Sequence, residues 1–453
     1  VPDRSGPPAV VPPTLMDLPE PEVHELGPNV TAWFVRVPGV RKVAVHVVMR
    51  KGHVELAGMP TQVSRALGAT ADAAGGGLSS AELSAERDLN ELDLWTNIRM
   101  HEVELTVSVP REGLGHALEL APLVLRDPGF PKKDVARWVQ DQELYFTVNG
   151  PSSQQNVSSA AMAFAWFPAD HPYGVRPDLD QLRAVKPRAL RATWDQWIHS
   201  APIQVVVVGD VAWAEVEPQV RAITEGLGGE GPPGAALAVP TPVSQVVAVD
   251  MPGQEQVSIA LRMEGPRFGP EYPAMAAANF VLGGTFLSRL NKNLREEKGY
   301  TYGANSGYRC DPAAGSITVG VDVKPENVAA TIREINAELQ RMIDEDVTQD
   351  ELDSARRSLA ADWNRTFENA DRAASLYRRS LSTRSPVEGL RAMVPADTIG
   401  AEQIRATAAR WYDAGHPRVW VVVGARSAIE AQLAEVGLTP RWTDPQSAIL
   451  GTF

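Results

Sequence analysis

The sequence predicts an α+β protein of two similar domains, each a mostly antiparallel sheet with helices on one face, and three observations lead there. The first is an internal repeat. Leu190-Arg191-Ala192-Thr193 ahead of Trp197 returns as Ile404-Arg405-Ala406-Thr407 ahead of Trp411. The run VVVVG ending at Gly209 returns as WVVVG ending at Gly424, Pro38-Gly39 as Pro252-Gly253, and Pro110 as Pro325, every offset being 214 or 215 residues. Registers that agree to one residue make a duplication the simplest account of the chain. The second is the alternation in HEVELTVSV, which has the period of a strand with one buried face and helices on that face only. The third is length, because 453 residues exceed what one core usually serves.

Taken in order, residues 1–20 are Pro-rich and read as an extended arm. Residues 21–225 form the first domain, 226–242 a Gly- and Pro-rich linker, and 243–453 the second domain. In the first domain the run VAVHVVMRKG is a strand, and a helix is expected to follow it at Thr61-Gln62-Val63-Ser64-Arg65. Gly75-Gly76-Gly77 lacks the Lys-Ser/Thr of a phosphate loop and reads as a turn, and Ala160–Phe167 reads as a core segment. In the second domain Val328, Ile332, Ile335, Leu339 and Met342 share one helical face, and Thr348 with Glu351 makes a capping-box start for the next helix.

Composition excludes several classes of function. The chain has 43 basic and 56 acidic residues, a formal charge of -13, which argues against sequence-independent binding to nucleic acid. Its one cysteine, Cys310, excludes a disulfide framework and a thiolate-rich metal site, and a reducing, cytoplasmic location is expected. No run approaches the roughly 18 to 20 apolar residues that cross a bilayer, so no membrane partner is expected. The N-terminal stretch shows no basic start followed by an apolar segment, so no signal peptide is expected in it. No two of the eight histidines stand at the i, i+4 spacing of metal ligands, and no G-x-S-x-G elbow is present.

The chemistry concentrates between Phe280 and Gly307, FVLGGTFLSRLNKNLREEKGYTYGANSG. Leu287, Leu290 and Leu294 recur at helical spacing and are expected to face a core, while Arg295 projects elsewhere. Gly283 and Gly284 permit a sharp turn, and Tyr300 and Tyr302 are expected on the same side of a strand. The plain alternative is a surface helix whose arginines are only solvated.

This stretch resembles the second-half signature of the insulinase and pitrilysin-type zinc metallopeptidases, including their mitochondrial processing peptidase branch. The resemblance implies that Arg295 and Tyr302 reach into a zinc site built by another domain, with Tyr300 as the rival for the tyrosine role. It implies that Gly283, Gly284, Ser288 and Arg289 contact the peptide substrate. It also implies a zinc motif H-x-x-E-H in the first half, but the window holds Thr61, Ser64 and Arg65 at the three required positions, and the third ligand position holds Gln142. The chain is therefore expected to bind no cofactor and to be the zinc-less subunit of a heterodimer, its partner a homologous subunit that carries H-x-x-E-H and the zinc. Leader-peptide removal and general peptide degradation both fit such a pair. Two other readings are a purely structural homologue and a module that captures peptides without cutting them.

Overall fold

The computed structural model describes residues 14–56, 61–230, 242–310, 315–382, 387–395 and 399–453. Among the described residues twelve strands form two six-stranded sheets. In the first half these are β1 (Glu22–Gly27), β2 (Val30–Arg36), β3 (Lys42–Met49), β4 (Asp93–Ile98), β5 (Val103–Pro110) and β6 (Ile203–Gly209). In the second they are β7 (Gln245–Asp250), β8 (Val257–Gly265), β9 (Ala304–Cys310), β10 (Gly315–Val323), β11 (Arg418–Gly424) and β12 (Arg441–Thr443). The sheet orders are β1-β2-β6-β3-β5-β4 and β12-β7-β11-β8-β10-β9. Both are mostly antiparallel, with β2 parallel to β6 and β7 parallel to both β11 and β12.

The two halves repeat the same construction in detail. Gly39 and Gly253 both take a left-handed φ, +82° and +84°, at matching turns where a Cβ would be strained. A Cβ on Gly209 would lie 2.9 Å from Val43 Cγ2, and one on Gly424 would lie 2.8 Å from Val257 Cγ2, so each strand end needs glycine for the same close approach. In the matching helices Pro187–Ile198 and Ala401–Trp411, Thr193 and Thr407 each donate a hydroxyl hydrogen bond of 2.9 Å to the carbonyl four residues earlier.

The α+β class and the two similar, mostly antiparallel halves are as expected, and the structure adds that each sheet's second face is covered from the other half. The face of the first sheet carrying Val45, Leu105 and Val207 packs on helices of its own half. Its other face, with Val35, Ala44, Val206 and Val208, is covered by Trp363, Phe367, Ala374 and Tyr377 of the second half. The second sheet reciprocates. Val247, Val249, Val421 and Val423 pack on Val157, Ala161 and Trp166 of the first-half helix Gln154–Trp166, whose Gln154 side chain donates 2.9 Å hydrogen bonds to the carbonyls of Gln256 and Val423. Each half thus lends a helix to the other, and the alternation in β5 misleads because its polar side is buried as well.

Of the expected arm, residues 1–13 lie outside the described residues, as do 231–241 of the expected linker. Residues 14–20 run along the second half, where Trp363 Nε1 donates to the Met16 carbonyl at 2.7 Å and Asn364 Nδ2 to that of Thr14 at 2.8 Å.

Candidate functional site

Helix Tyr272–Leu282 ends at Gly283, and the chain then turns over the start of β9. A Cβ on Gly283 would lie 2.6 Å from the Ser306 amide nitrogen, and one on Gly284 would lie 2.8 Å from Asn279 Nδ2. Close approach within the chain is thus what these glycines serve. Ser288 caps the next helix, Arg289–Asn291 continuing as a wider π-turn through Lys292–Glu297. Only Leu290 and Leu294 of the three leucines reach the core. Leu287 is 67% exposed, contrary to expectation, because it precedes the cap and lies outside the helical register.

Arg289 and Ser288, expected at the substrate, are buried and engaged internally. Arg289 Nε and Nη2 bind the two carboxylate oxygens of Glu351 at 2.9 and 2.8 Å, and Ser288 Oγ accepts from Asn291 Nδ2 at 3.2 Å. The two tyrosines also differ from expectation, since both precede β9 and they do not share a side of it. Tyr300 donates its amide to the Leu294 carbonyl at 2.8 Å and its ring packs on the second-half core. Tyr302, two residues on, is 90% exposed.

Arg295 stands beside this exposed tyrosine in sequence only through the turn at Gly299, whose φ is +65°. Its guanidinium carbon lies 4.0 Å from the centre of the Phe286 ring, which is itself 60% exposed. A cation seated on an aromatic face is held in orientation while its N–H groups stay available for a carboxylate or carbonyl. Sequence reading missed Phe286; its signal was a large apolar residue in a turn next to two glycines.

The first-half window is built very differently. Thr61 opens the helix Thr61–Thr70, its side chain outside the described residues. Ser64, in the general-base position, is buried with its Oγ 2.7 Å from His53 Nδ1. Arg65, in a ligand position, is largely removed from water, and burial lowers its pKa. His53 is driven down to about 4, first by burial and then by the Arg65 charge. Gln142 sits on the neighbouring helix Lys132–Leu144. A hydroxyl, an amide and a guanidinium do not suit zinc, which takes thiolate, imidazole or carboxylate donors, and Arg65 would repel a cation. Among the described residues no group of three His, Cys, Asp or Glu side chains is placed to hold a metal.

Between the halves lies a charged cluster that the sequence did not announce. His46 Nδ1 is 2.6 Å from Glu104 Oε1, and Arg378, from the second-half helix Ala370–Ser382, places Nε 3.1 Å from the same oxygen and also bonds Glu102. Arg99 Nε lies 3.1 Å from Glu104 Oε2. Burial acts to raise the Glu104 carboxyl, but His46, Arg378 and Arg99 outweigh it and hold the group down at about 2.

Residues 184–359, which include the whole Phe280–Gly307 stretch, match the sequence profile of the peptidase M16 inactive domain. No curated protein sequence matches. Among solved structures, the peptidase M16 inactive domain from Pseudomonas fluorescens superposes with a TM-score of 0.79 at 21% identity, over 89% of this chain and 98% of that one. A protease from Helicobacter pylori gives 0.75 at 17% identity, over 90% and 100%. The periplasmic protease PqqL from Escherichia coli gives 0.72 at 16% identity, over 93% of this chain and 49% of that one, so this chain corresponds to half of it. No described helix is long and apolar enough to cross a membrane. The chain therefore has the fold of these structures, and its residues 184–359 are similar to a peptidase M16 inactive domain.

Proposed function

We propose that this chain is the zinc-less subunit of a two-subunit peptidase, presenting Arg295 and Tyr302 to a zinc site on a homologous partner that carries H-x-x-E-H. The observation that carries the reading is the exposure of Tyr302, seven residues after an Arg295 mounted on Phe286, in a segment where Ser288, Arg289 and Tyr300 all turn inward. A phenol left in water at such a position has no folding role, whereas a phenol aimed at a partner's scissile carbonyl can donate to the developing oxyanion. Arg295 grips a substrate carbonyl or carboxylate with two N–H groups. The partner's zinc, when bound, supplies the activated water. The substrate is a peptide, the location cytoplasmic, and cleavage serves either leader removal or general degradation.

The test is reconstitution. Purified chain mixed with each H-x-x-E-H homologue from its genome is expected to elute as a heterodimer and to cleave a fluorogenic peptide that neither protein cleaves alone. Elution as unchanged separate species with every such homologue would remove the reading. The unsuitable donors at Ser64 and Arg65 also favour a second reading, a peptide-binding homologue without a catalytic partner, in which peptide binds the isolated chain and no mixture cleaves it.

A further inference from the structure

A cavity of about 920 Å³ opens between the halves, walled by the Asn97–Glu102 segment on one side and by the end of β9 and helix Ala370–Ser382 on the other. Among the described residues five arginines line it, Arg99, Arg262, Arg309, Arg378 and Arg379, against the one carboxylate of Glu102. That is a concentration of positive charge in a chain of formal charge -13. Three of the five are engaged by the fold. Arg99 and Arg378 bind Glu102 and Glu104, and Arg262 stacks on Trp166 and Phe167 and donates to Ser316 Oγ at 3.0 Å. Arg309 and Arg379 are exposed and make no ion pair among the described residues.

Next to them the cavity runs into a second hollow of about 490 Å³, which shares Tyr272, Tyr308 and Arg379 with the first; the apolar Pro273, Ala276, Leu376 and Met393 line it together with Asp362, which pairs with Arg365, and with Asp371 and Arg372. The groove is therefore cationic along one stretch and mixed along the next, with an apolar floor between charged side chains. It also ends on β9, the edge strand of its sheet, whose outer backbone groups at Ala304 and Ser306 are already bonded to Asn291 and Gly283. We propose that this groove binds an extended acidic peptide segment, its carboxylates at Arg309 and Arg379 and an apolar side chain in the adjoining hollow. The proposal rests on the reading that the chain handles peptides and is independent of any cleavage. A bare phosphate or small dicarboxylate would leave the adjoining hollow and its apolar side chains unused.

The single thiol of the chain, Cys310, lines the same cavity, so the rate at which it reacts with a thiol reagent reports on occupancy at this place alone. A labelled short peptide of alternating Glu and Leu is titrated into the purified chain and followed by anisotropy. Binding should weaken by about tenfold or more when Gln replaces Glu in the peptide, when Arg309→Ala and Arg379→Ala are combined, and when salt is raised to screen the exposed charges. Bound peptide should slow the Cys310 reaction. Unchanged melting of the double variant checks that these surface changes leave the fold intact. Equal affinity for the Gln peptide, unchanged binding by the double variant, or an unslowed Cys310 would overturn the proposal, as would equal protection by phosphate or glutarate alone. None of these arms uses a partner, Arg295 or Tyr302, so a failure of partner-dependent cleavage is read separately.

Discussion

Arg289 and Glu351 are joined by two parallel N–H···O bonds of 2.9 and 2.8 Å, and the same carboxylate closes the capping box of the helix Gln349–Thr366 by accepting the Thr348 amide at 2.9 Å. One acidic side chain therefore fixes a helix start and anchors the turn that carries Phe286. Burial acts to raise its carboxyl, but Arg289 and Thr348 outweigh that and bring it down to about 2 from 4.5.

The sign of the pH effect follows. A carboxylate whose folded value lies below its unfolded one stabilises fully above the unfolded value, and that contribution is lost as pH falls from about 4.5 through about 2. Glu351→Gln should destabilise the chain by about 2 kcal/mol at pH 7. Urea denaturation should show the gap between wild type and variant closing as the pH drops through that window. A gap that is constant with pH would contradict the assignment.

Arg378 crosses from the second half to Glu102 and Glu104 of the first. Removing one partner of a buried cluster leaves the others uncompensated, so Arg378→Met should cost about 3 kcal/mol or more. Adding Glu104→Gln should recover part of that loss, which a double-mutant cycle measures. Strict additivity of the two changes would show that they do not interact.

The turn can be tested at three leucine and glycine positions. Leu290→Ala empties a fully buried site and should cost about 2 to 5 kcal/mol, whereas Leu287→Ala, at an exposed site, should stay within about 0.5 kcal/mol. Gly283→Ala forces a methyl against the Ser306 amide and should lower the melting temperature sharply. Comparable losses at Leu287 and Leu290 would mean that the helical register is misassigned.

The duplication was legible in the sequence because equal turns need equal residues: Gly39 and Gly253 share a left-handed φ, and Gly209 and Gly424 share a close neighbour. The crossed helices were not. Glu104, Thr106 and Ser108 look like the solvent side of β5 yet are buried, and nothing in the sequence signals that Glu104 is met there by Arg378, 274 residues further along the chain. The site was legible in part. The sequence singled out the candidate segment Phe280–Gly307, which lies inside the matched residues 184–359, but spacing alone cannot tell an outward Tyr302 from an inward Tyr300, nor an Arg295 on Phe286 from an Arg289 tied to Glu351.

The most direct test of the central claim is steady-state peptide cleavage by reconstituted heterodimers carrying single changes in this chain. A phenol that meets the oxyanion acts in the transition state, so Tyr302→Phe should lower kcat by roughly 100-fold or more with heterodimer elution unchanged. Arg295→Ala should raise KM as well, because its grip also serves the ground state. Tyr300→Phe, at the inward ring, should leave turnover near wild type. Wild-type kcat and KM for both Tyr302→Phe and Arg295→Ala, in heterodimers that form and cleave, would contradict the account and leave this chain a scaffold for its partner.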